Sequence, residues 1–329
     1  MERYADIRTV FTIHNIEYQG KYSMDLLEEL FGLPGECYRV MQYDGCINLM
    51  KGAIVCADRV STVSPRYAQE ILTPTYSHGL WHILVANEGK LSGILNGIDY
   101  VYYDPLSDPV LSDHYSARSV ASKCKNKLTL QRELALPESK DIPMLAIISR
   151  LVEHKGMDLV REIMENLVAN NDVQLVVLGK GSPEYEDYFR YLEGKYHDKV
   201  RGMIMYDRDL ARRIYAAADI FVMPSKSEPC GLSQMIASRY GAIPVVRETG
   251  GLYDSIKGYW ENENGELCGN GFTFANYNAG ELAERTGAAI ALWRDVDRRR
   301  RLVRKIMNTD FSWGASAKNY IALYDELGE

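Results

Sequence analysis

The stretch PMLAIISRLVEHKGMDLVREIMENLVANNDVQLVVLG, residues 143–179, decides the fold class. It opens on an apolar run, PMLAIIS (143–149). KGMDLVREIMENLVAN (155–170) then sets Leu159, Val160, Ile163, Met164, Leu167 and Val168 on one face at helical spacing. VQLVVLG (173–179) closes the stretch as a second apolar run. Two near-continuous apolar strands joined by an amphipathic helix are a unit of a parallel sheet covered on both faces. The rhythm continues: strands are predicted at 200–206, 219–224 and 242–246, and helices at 184–196, 208–217, 232–240 and 252–258. Open sheets of this kind bind ligands beyond the C-terminal ends of their strands, so the strand-to-helix loops are where chemistry is sought.

Upstream, RTVFTI (8–13), DRVSTVS (58–64) and LSGILNG (91–97) read as buried strands, and a helix is predicted over 116–134. LPESKDIP (136–143) has Pro, Ser and charge without periodicity and reads as a linker. The first half begins on a strand and holds fewer strand–helix units than the second. It reads as a doubly wound domain lacking its opening units. A length of 329 residues suits two domains.

Composition narrows the function classes. Apolar residues make up 46% and charged residues 25%, ordinary for a globular chain. No apolar run reaches membrane-spanning length, and Glu2, Arg3 and Asp6 interrupt any leader-like core at the N-terminus. A net charge of −7 argues against nucleic acid as the main partner. The cysteines at 37, 46, 56, 124, 230 and 268 form no CxxC pair and fit a reducing cytosol. The basic run RDVDRRRRLVRK (294–305) reads as a helix with a solvated face, with Val296, Leu302 and Val303 among its cations.

Four loops could carry chemistry. In SRLVEHKG (149–156), Arg150 and Lys155 flank a strand-to-helix turn and would make an anion site suited to a phosphate or diphosphate; two surface cations are the equal alternative. In RETGGL (247–252), Gly250-Gly251 lets backbone amides approach a ligand, although Gly-Gly is also an ordinary turn. No GxGxxG or P-loop pattern is present, and GKGS (179–182) reads as a turn. In PSKSEPCGLSQ (224–234), Glu228 would stand at a strand's C-terminal edge, with the Gly231 and Leu232 amides at the next helix start. That carboxylate could accept a sugar's hydroxyls or face positive charge on a ring carbon, or simply cap the helix. Cys230 has no histidine near it in sequence and reads as a packed thiol. In FTIHNIEYQG (11–20), His14 ends the first strand. The histidines at 78, 82, 114, 154 and 197 share no metal-ligand spacing, so no metal is expected.

Taken together, FTIHNIEYQG, LSGILNGID, SRLVEHKG, SEPCGLSQ with RYGAIPVVRETGGL, and the closing DFSWGASAKNYIALY resemble, in order, the blocks of bacterial glycogen synthases and plant starch synthases. The resemblance covers nearly the whole chain, and the EPCGL and RETGGL blocks are its most specific part. It implies a GT-B α/β fold: two Rossmann-like doubly wound domains facing a cleft, the first incomplete at its N-terminus. The domains would run 1–138 and 139–311, with 312–329 as a closing helix crossing back to the first. The implied activity is retaining transfer of glucose from ADP-glucose to the non-reducing end of an α-1,4-glucan, without metal or cofactor, in the cytoplasm or, in a plant, the plastid. Glu228 matches the essential carboxylate at the donor glucose. Arg150 and Lys155 match the pair at the diphosphate, and His14 and Asn96 match residues at the sugar. Gly231, Leu232, Thr249, Gly250 and Gly251 match the loops that donate backbone amides, and Tyr206 matches an aromatic ring at the adenine. Related glucosyltransferases carry a second Glu at a fixed offset; here Ile236 stands eight residues after Glu228.

Two departures stand out. The family's Lys-x-Gly-Gly-Leu loop and its Asp-Trp pair before the His-Asn motif are absent, so a truncated chain or a complementing N-terminal polypeptide is expected. That reading expects ADP or glucan binding with poor synthesis by residues 1–329 alone. SHGLWH (77–82) also departs, and His78, Trp81 and His82 read as repacking rather than new acceptor contacts. A nucleotide- or glucan-binding relic is the non-enzymatic alternative. A sugar-nucleotide epimerase is the enzymatic one, and it should lack the EPCGL block and the DFSW helix. Donor nucleotide, glycogen against starch, and oligomeric state are left open.

Overall fold

The computed structural model describes residues 6–328. The chain divides into two compact units, Met1–Asn96 with Ser316–Glu329, and Gly97–Ala315.

In the first unit β1 (Val10–Ile13), β2 (Arg59–Thr62) and β3 (Leu91–Gly93) form a three-stranded parallel sheet in the order β1-β2-β3. Helices α1 (Leu49–Cys56) and α2 (Pro65–Glu70) are each started by a side-chain cap, Asn48 accepting from the Lys51 amide and Ser64 from the Tyr67 amide. A small antiparallel sheet of Lys21–Tyr22, Gln42–Tyr43 and Cys46–Asn48 had no counterpart in the sequence reading; its strands are too short to show a period. The segment Ser316–Glu329 joins this unit, and Ser316 Oγ donates to Leu95 O at 2.6 Å.

The second unit follows the rhythm of the opening stretch. Its elements are α3 (Lys123–Glu133), β4 (Met144–Ile148), α4 (Met157–Asn170), β5 (Gln174–Leu178), α5 (Pro183–Lys195), β6 (Val200–Met203), α6 (Arg208–Ala217), β7 (Ile220–Met223), α7 (Ser233–Arg239), β8 (Ile243–Arg247), α8 (Gly250–Ser255), β9 (Phe272–Phe274), α9 (Ala279–Arg294), α10 (Val296–Met307) and α11 (Trp313–Gly328), the last ending in the other unit. The six strands are parallel in the order β6-β5-β4-β7-β8-β9, which counted within this unit is 3-2-1-4-5-6. Every residue of β5 and β7 is buried, which explains their unbroken apolar runs. All six apolar residues expected on one face of α4 are buried, each contributing about 1.5–3 kcal/mol of transfer free energy. Strand order reverses between β4 and β7. That switch point leaves a crevice at the strands' C-terminal ends.

Two local expectations shift. The helix expected over 116–134 begins as a short 3-10 turn at Val120 and becomes α-helical only at Lys123. Ser119 Oγ accepts from the Ser116 amide at 3.0 Å, a local alternative to the helical ladder. The helix expected over 252–258 starts earlier, at Gly250, and ends at Ser255, whose carbonyl accepts from Asn270 Nδ2.

The boundary between units falls after Asn96, not at the 136–143 linker. Long-range polar contacts hold residues 97–138 to the second sheet. Tyr115 OH donates to Tyr240 O at 2.7 Å, Arg212 Nη1 to Asp108 at 2.9 Å, and Lys127 Nζ to Asp219 at 2.8 Å. Tyr115 and Lys127 are almost wholly buried, so each bond satisfies a polar group that would otherwise be costly to bury.

Candidate functional site

The loops that leave β4 and β7 meet at the switch point. Glu228 Oε2 accepts from Lys155 Nζ at 2.6 Å and from Ser225 Oγ at 3.0 Å. The Lys155 and Glu228 side chains are 16% and 8% exposed, and Ser225 is fully buried. An ion pair this enclosed is screened far less than a surface one. The sequence reading had Lys155 and Glu228 in separate loops; the fold brings them into contact.

Glycine makes the contact possible. Gly156, with φ +79°, starts α4, and a Cβ there would lie 2.2 Å from Pro224 O. The loop after β4 therefore lies against the end of β7 only because residue 156 has no side chain. Gly156→Ala is expected to destabilise the protein by about 1–3 kcal/mol through backbone strain and to push Lys155 away from Glu228. Thermal denaturation checks this; an unchanged melting temperature would show that the loop has room to spare.

The Gly-Gly loop has a different use from the one expected. The Gly251 amide, expected to face a ligand, donates to Glu228 O at 3.1 Å and Pro229 O at 3.2 Å. A Cβ on Gly250 would lie 2.0 Å from Glu228 O, and one on Gly251 2.0 Å from Cys230 O. The pair lets the first turn of α8 pack against the backbone that presents Glu228. Thr249, at the cap of α8, is buried. Gly231 has φ +70°, and among the described residues the Gly231 and Leu232 amides have no backbone acceptor, which leaves both as donors in the loop that follows Glu228.

Beyond β4, β5 and β6 opens a cavity of about 430 Å³. Arg150, Lys180, Tyr206, Arg208, Leu232 and Ile236 line it, together with Tyr102 and Tyr103. Tyr206 is 83% exposed, a ring presented to solvent at this cavity. Arg150 Nη2 lies 3.1 Å from His154 Nε2. Arg208 and Arg212 lie over the Tyr102 ring at 5.5 and 4.6 Å, so the wall is both aromatic and cationic.

A second layer holds the loops in place. Arg247 Nη1 donates to Lys226 O at 2.7 Å, and its guanidinium lies over Tyr277 at 5.6 Å. The Tyr277 hydroxyl donates to the Asp158 carboxylate of α4. Burial and then that hydrogen bond hold Tyr277 above the ordinary tyrosine range, so it stays a donor. Sequence reasoning missed Ser225, Tyr277, Tyr102 and Tyr103. Only Ser225 had a signal, a hydroxyl three residues before the acid in the same loop.

His14 and Asn96 belong to the other unit. His14 is exposed directly after β1, and Asn96 follows β3, so both lie at the C-terminal end of the three-stranded sheet. Asn96 Oδ1 is buried without a hydrogen-bond partner among the described residues. In the departing segment, His78 has φ +49° and its carbonyl accepts from Gln19 Nε2, while Trp81 and His82 stack at 3.6 Å; these contacts are packing within the unit.

Residues 1–86 match the family model for the starch synthase catalytic domain, and residues 131–307 match glycosyl transferases group 1. The glycogen synthase of Bacillus subtilis (strain 168) is 46% identical over 326 residues, covering 98% of this chain and 67% of that protein. The chain belongs to the glycogen and starch synthase family of glycosyltransferases. The glycogen synthase of Streptococcus mutans serotype c (strain ATCC 700610 / UA159) is 44% identical over 98% of this chain and 68% of its own length. The catalytic domain of starch synthase IV from Arabidopsis thaliana, solved bound to ADP and acarbose, superposes with a TM-score of 0.89. It is 37% identical over 97% of this chain and 67% of that one. This family member has the GT-B fold class, with two Rossmann-like α/β units, and spans about two thirds of the length of its curated relatives. No helix among its described residues is long and apolar enough to cross a membrane.

Proposed function

We propose that the chain transfers glucose from ADP-glucose to the non-reducing end of an α-1,4-glucan with retention at the anomeric carbon. The observation that carries this reading is the Lys155–Glu228 pair at the switch point, beside a cavity lined by Arg150 and Tyr206. Cleavage of the anomeric C–O bond builds positive charge on the sugar and negative charge on the departing diphosphate. Glu228 faces the first charge. Arg150 and Lys155 take the second, so the leaving group departs without a general acid. The cavity would seat ADP, with the adenine on the Tyr206 ring. The presence of ADP in the Arabidopsis relative supports this assignment. Gly231 and Leu232 are assigned to the donor by their unused amides, and His14 and Asn96 to the sugar by the resemblance. Gly250 and Gly251 act by lying against the backbone that presents Glu228, and Thr249 is assigned to the donor loop by the resemblance. An exposed Cys56 thiol suits a reducing cytoplasm.

Lys155 must serve two anions in turn. In the structure it is paired with Glu228. A bound diphosphate competes for the same ammonium and exposes the carboxylate's charge to the sugar, where a cationic transition state can use it.

The test supplies the complete protein, including any N-terminal segment its gene encodes, with ADP-glucose or UDP-glucose and a maltooligosaccharide, and follows the product by proton NMR. An α-linked glucosyl residue at the non-reducing end, formed at least about tenfold faster from ADP-glucose, is expected; a tenfold preference corresponds to about 1.4 kcal/mol. A β-linked product, or donor hydrolysis in place of transfer, would overturn the reading.

A further inference from the structure

The basic run on α10 is more than a solvated face. Leu302, Val303, Ile306 and Met307 are buried, but Val296 is 52% exposed, although the sequence pattern grouped it with the apolar positions. Val296, Arg299 and Arg300 line a second cavity of about 350 Å³. It lies at the end of the sheet opposite the switch point. Its walls include Asp141 ahead of β4, Asp219 ahead of β7 and Gly241 ahead of β8.

The charges there do not balance. Lys127, Lys140, Arg299 and Arg300 line the cavity as cations against Asp141 and Asp219, four to two, with Lys123 beside them. Lys127 is paired with Asp219 at 2.8 Å and also donates to Ile142 O. Lys123 is buried and donates only to backbone carbonyls at the end of α6, to Ala216 O at 2.6 Å and Tyr215 O at 3.3 Å. Burial drops its ammonium to about 7, so near neutral pH it is only partly charged. Lys140 and Arg300 are exposed at the rim and make no ion pair among the described residues. The guanidinium of Arg299 lies over Trp293 at 4.3 Å and is held by Trp293 O.

We propose that this cavity is a second anion site that takes a small phosphoester, with the phosphate between Lys140 and Arg300 and the carbon portion against Val296 and Val303. Arg and Lys together match a phosphate's tetrahedral oxygens, and the apolar residues give an esterified phosphate an advantage over the free ion. At roughly 30 Å³ per water the cavity displaces on the order of ten waters, room for a phosphate on a short carbon chain. Nothing in the transfer chemistry uses these residues.

Isothermal titration tests the site with glycerol 3-phosphate as the probe, and with inorganic phosphate and citrate as controls. The Arg150→Ala protein is included because its donor site is weakened, which separates binding there from binding at this cavity. The expected result is one saturable site that survives Arg150→Ala and weakens by at least about thirtyfold in a Lys140→Ala, Arg300→Ala double variant. Both replaced side chains are exposed, and unchanged ADP affinity in the double variant confirms that the donor site is intact. Inorganic phosphate is expected to bind several-fold more weakly than the ester. The proposal is overturned if Arg150→Ala abolishes binding, if the double variant binds as before, if the probe shows no saturation at about 10 mM, or if inorganic phosphate or citrate binds more tightly than the phosphoester.

Discussion

Glu228→Gln is expected to lower the rate of glucosyl transfer by about a hundredfold to a thousandfold, the scale of losing one preorganised electrostatic group at a transition state. The amide keeps the shape of the carboxylate. Its oxygen can still accept from Lys155 Nζ and Ser225 Oγ, which now bond Glu228 at 2.6 and 3.0 Å. Fold and nucleotide affinity should therefore change little, because the substitution removes only the charge that faces the sugar. ADP release in the steady state, alongside ADP affinity, separates the outcomes. A turnover within about threefold of the parent enzyme would remove Glu228 from the reaction. Lost ADP affinity with unchanged turnover would recast it as part of the nucleotide site.

Much of the second unit was legible because its strands are buried on both faces. Apolar continuity located β4, β5 and β7 to within about a residue, and the 3.6-residue spacing located α4. β9 was not legible, since its three residues are too few to show a pattern. Neither was the division between units. The 136–143 stretch has a linker's composition, yet residues 97–138 are held to the second sheet by bonds such as Tyr115 to Tyr240 and Lys127 to Asp219, which join positions about a hundred residues apart. No local sequence window contains such a pair.

The site was legible as separate loops, with their assembly hidden. Arg150, Lys155 and Glu228 were each marked by a charge at the end of an apolar strand. Their meeting depends on the reversal of strand order between β4 and β7, which is a property of the whole sheet. The Gly250-Gly251 pair shows the opposite case. Its glycines suggested amides offered to a ligand, but close approach to the Glu228–Cys230 backbone accounts for them equally well in sequence, and that is the contact the Gly251 amide makes. Tyr102 and Tyr103 lie in a segment without periodicity, so nothing local placed them at the cavity.

The second large effect is expected at the cations. Arg150→Ala should weaken ADP binding by about tenfold to a hundredfold, the cost of one or two charge-assisted hydrogen bonds to a diphosphate. Lys155→Ala should do more harm to turnover. It removes a diphosphate contact and also leaves Glu228, 8% exposed, without its counter-ion, with the Ser225 hydroxyl still donating to the acid. A combined loss of about a thousandfold or more in kcat/KM is expected for Lys155→Ala, with lowered thermal stability that Lys155→Arg partly restores.

The central claim is that a nucleotide diphosphate binds where the loops after β4 and β7 meet. Calorimetric titration of ADP into the parent protein, Arg150→Ala and Lys155→Ala tests it most directly. The account requires saturable one-to-one binding by the parent and at least about tenfold weaker binding by each variant. Equal ADP affinity in all three proteins would place the nucleotide elsewhere and contradict it.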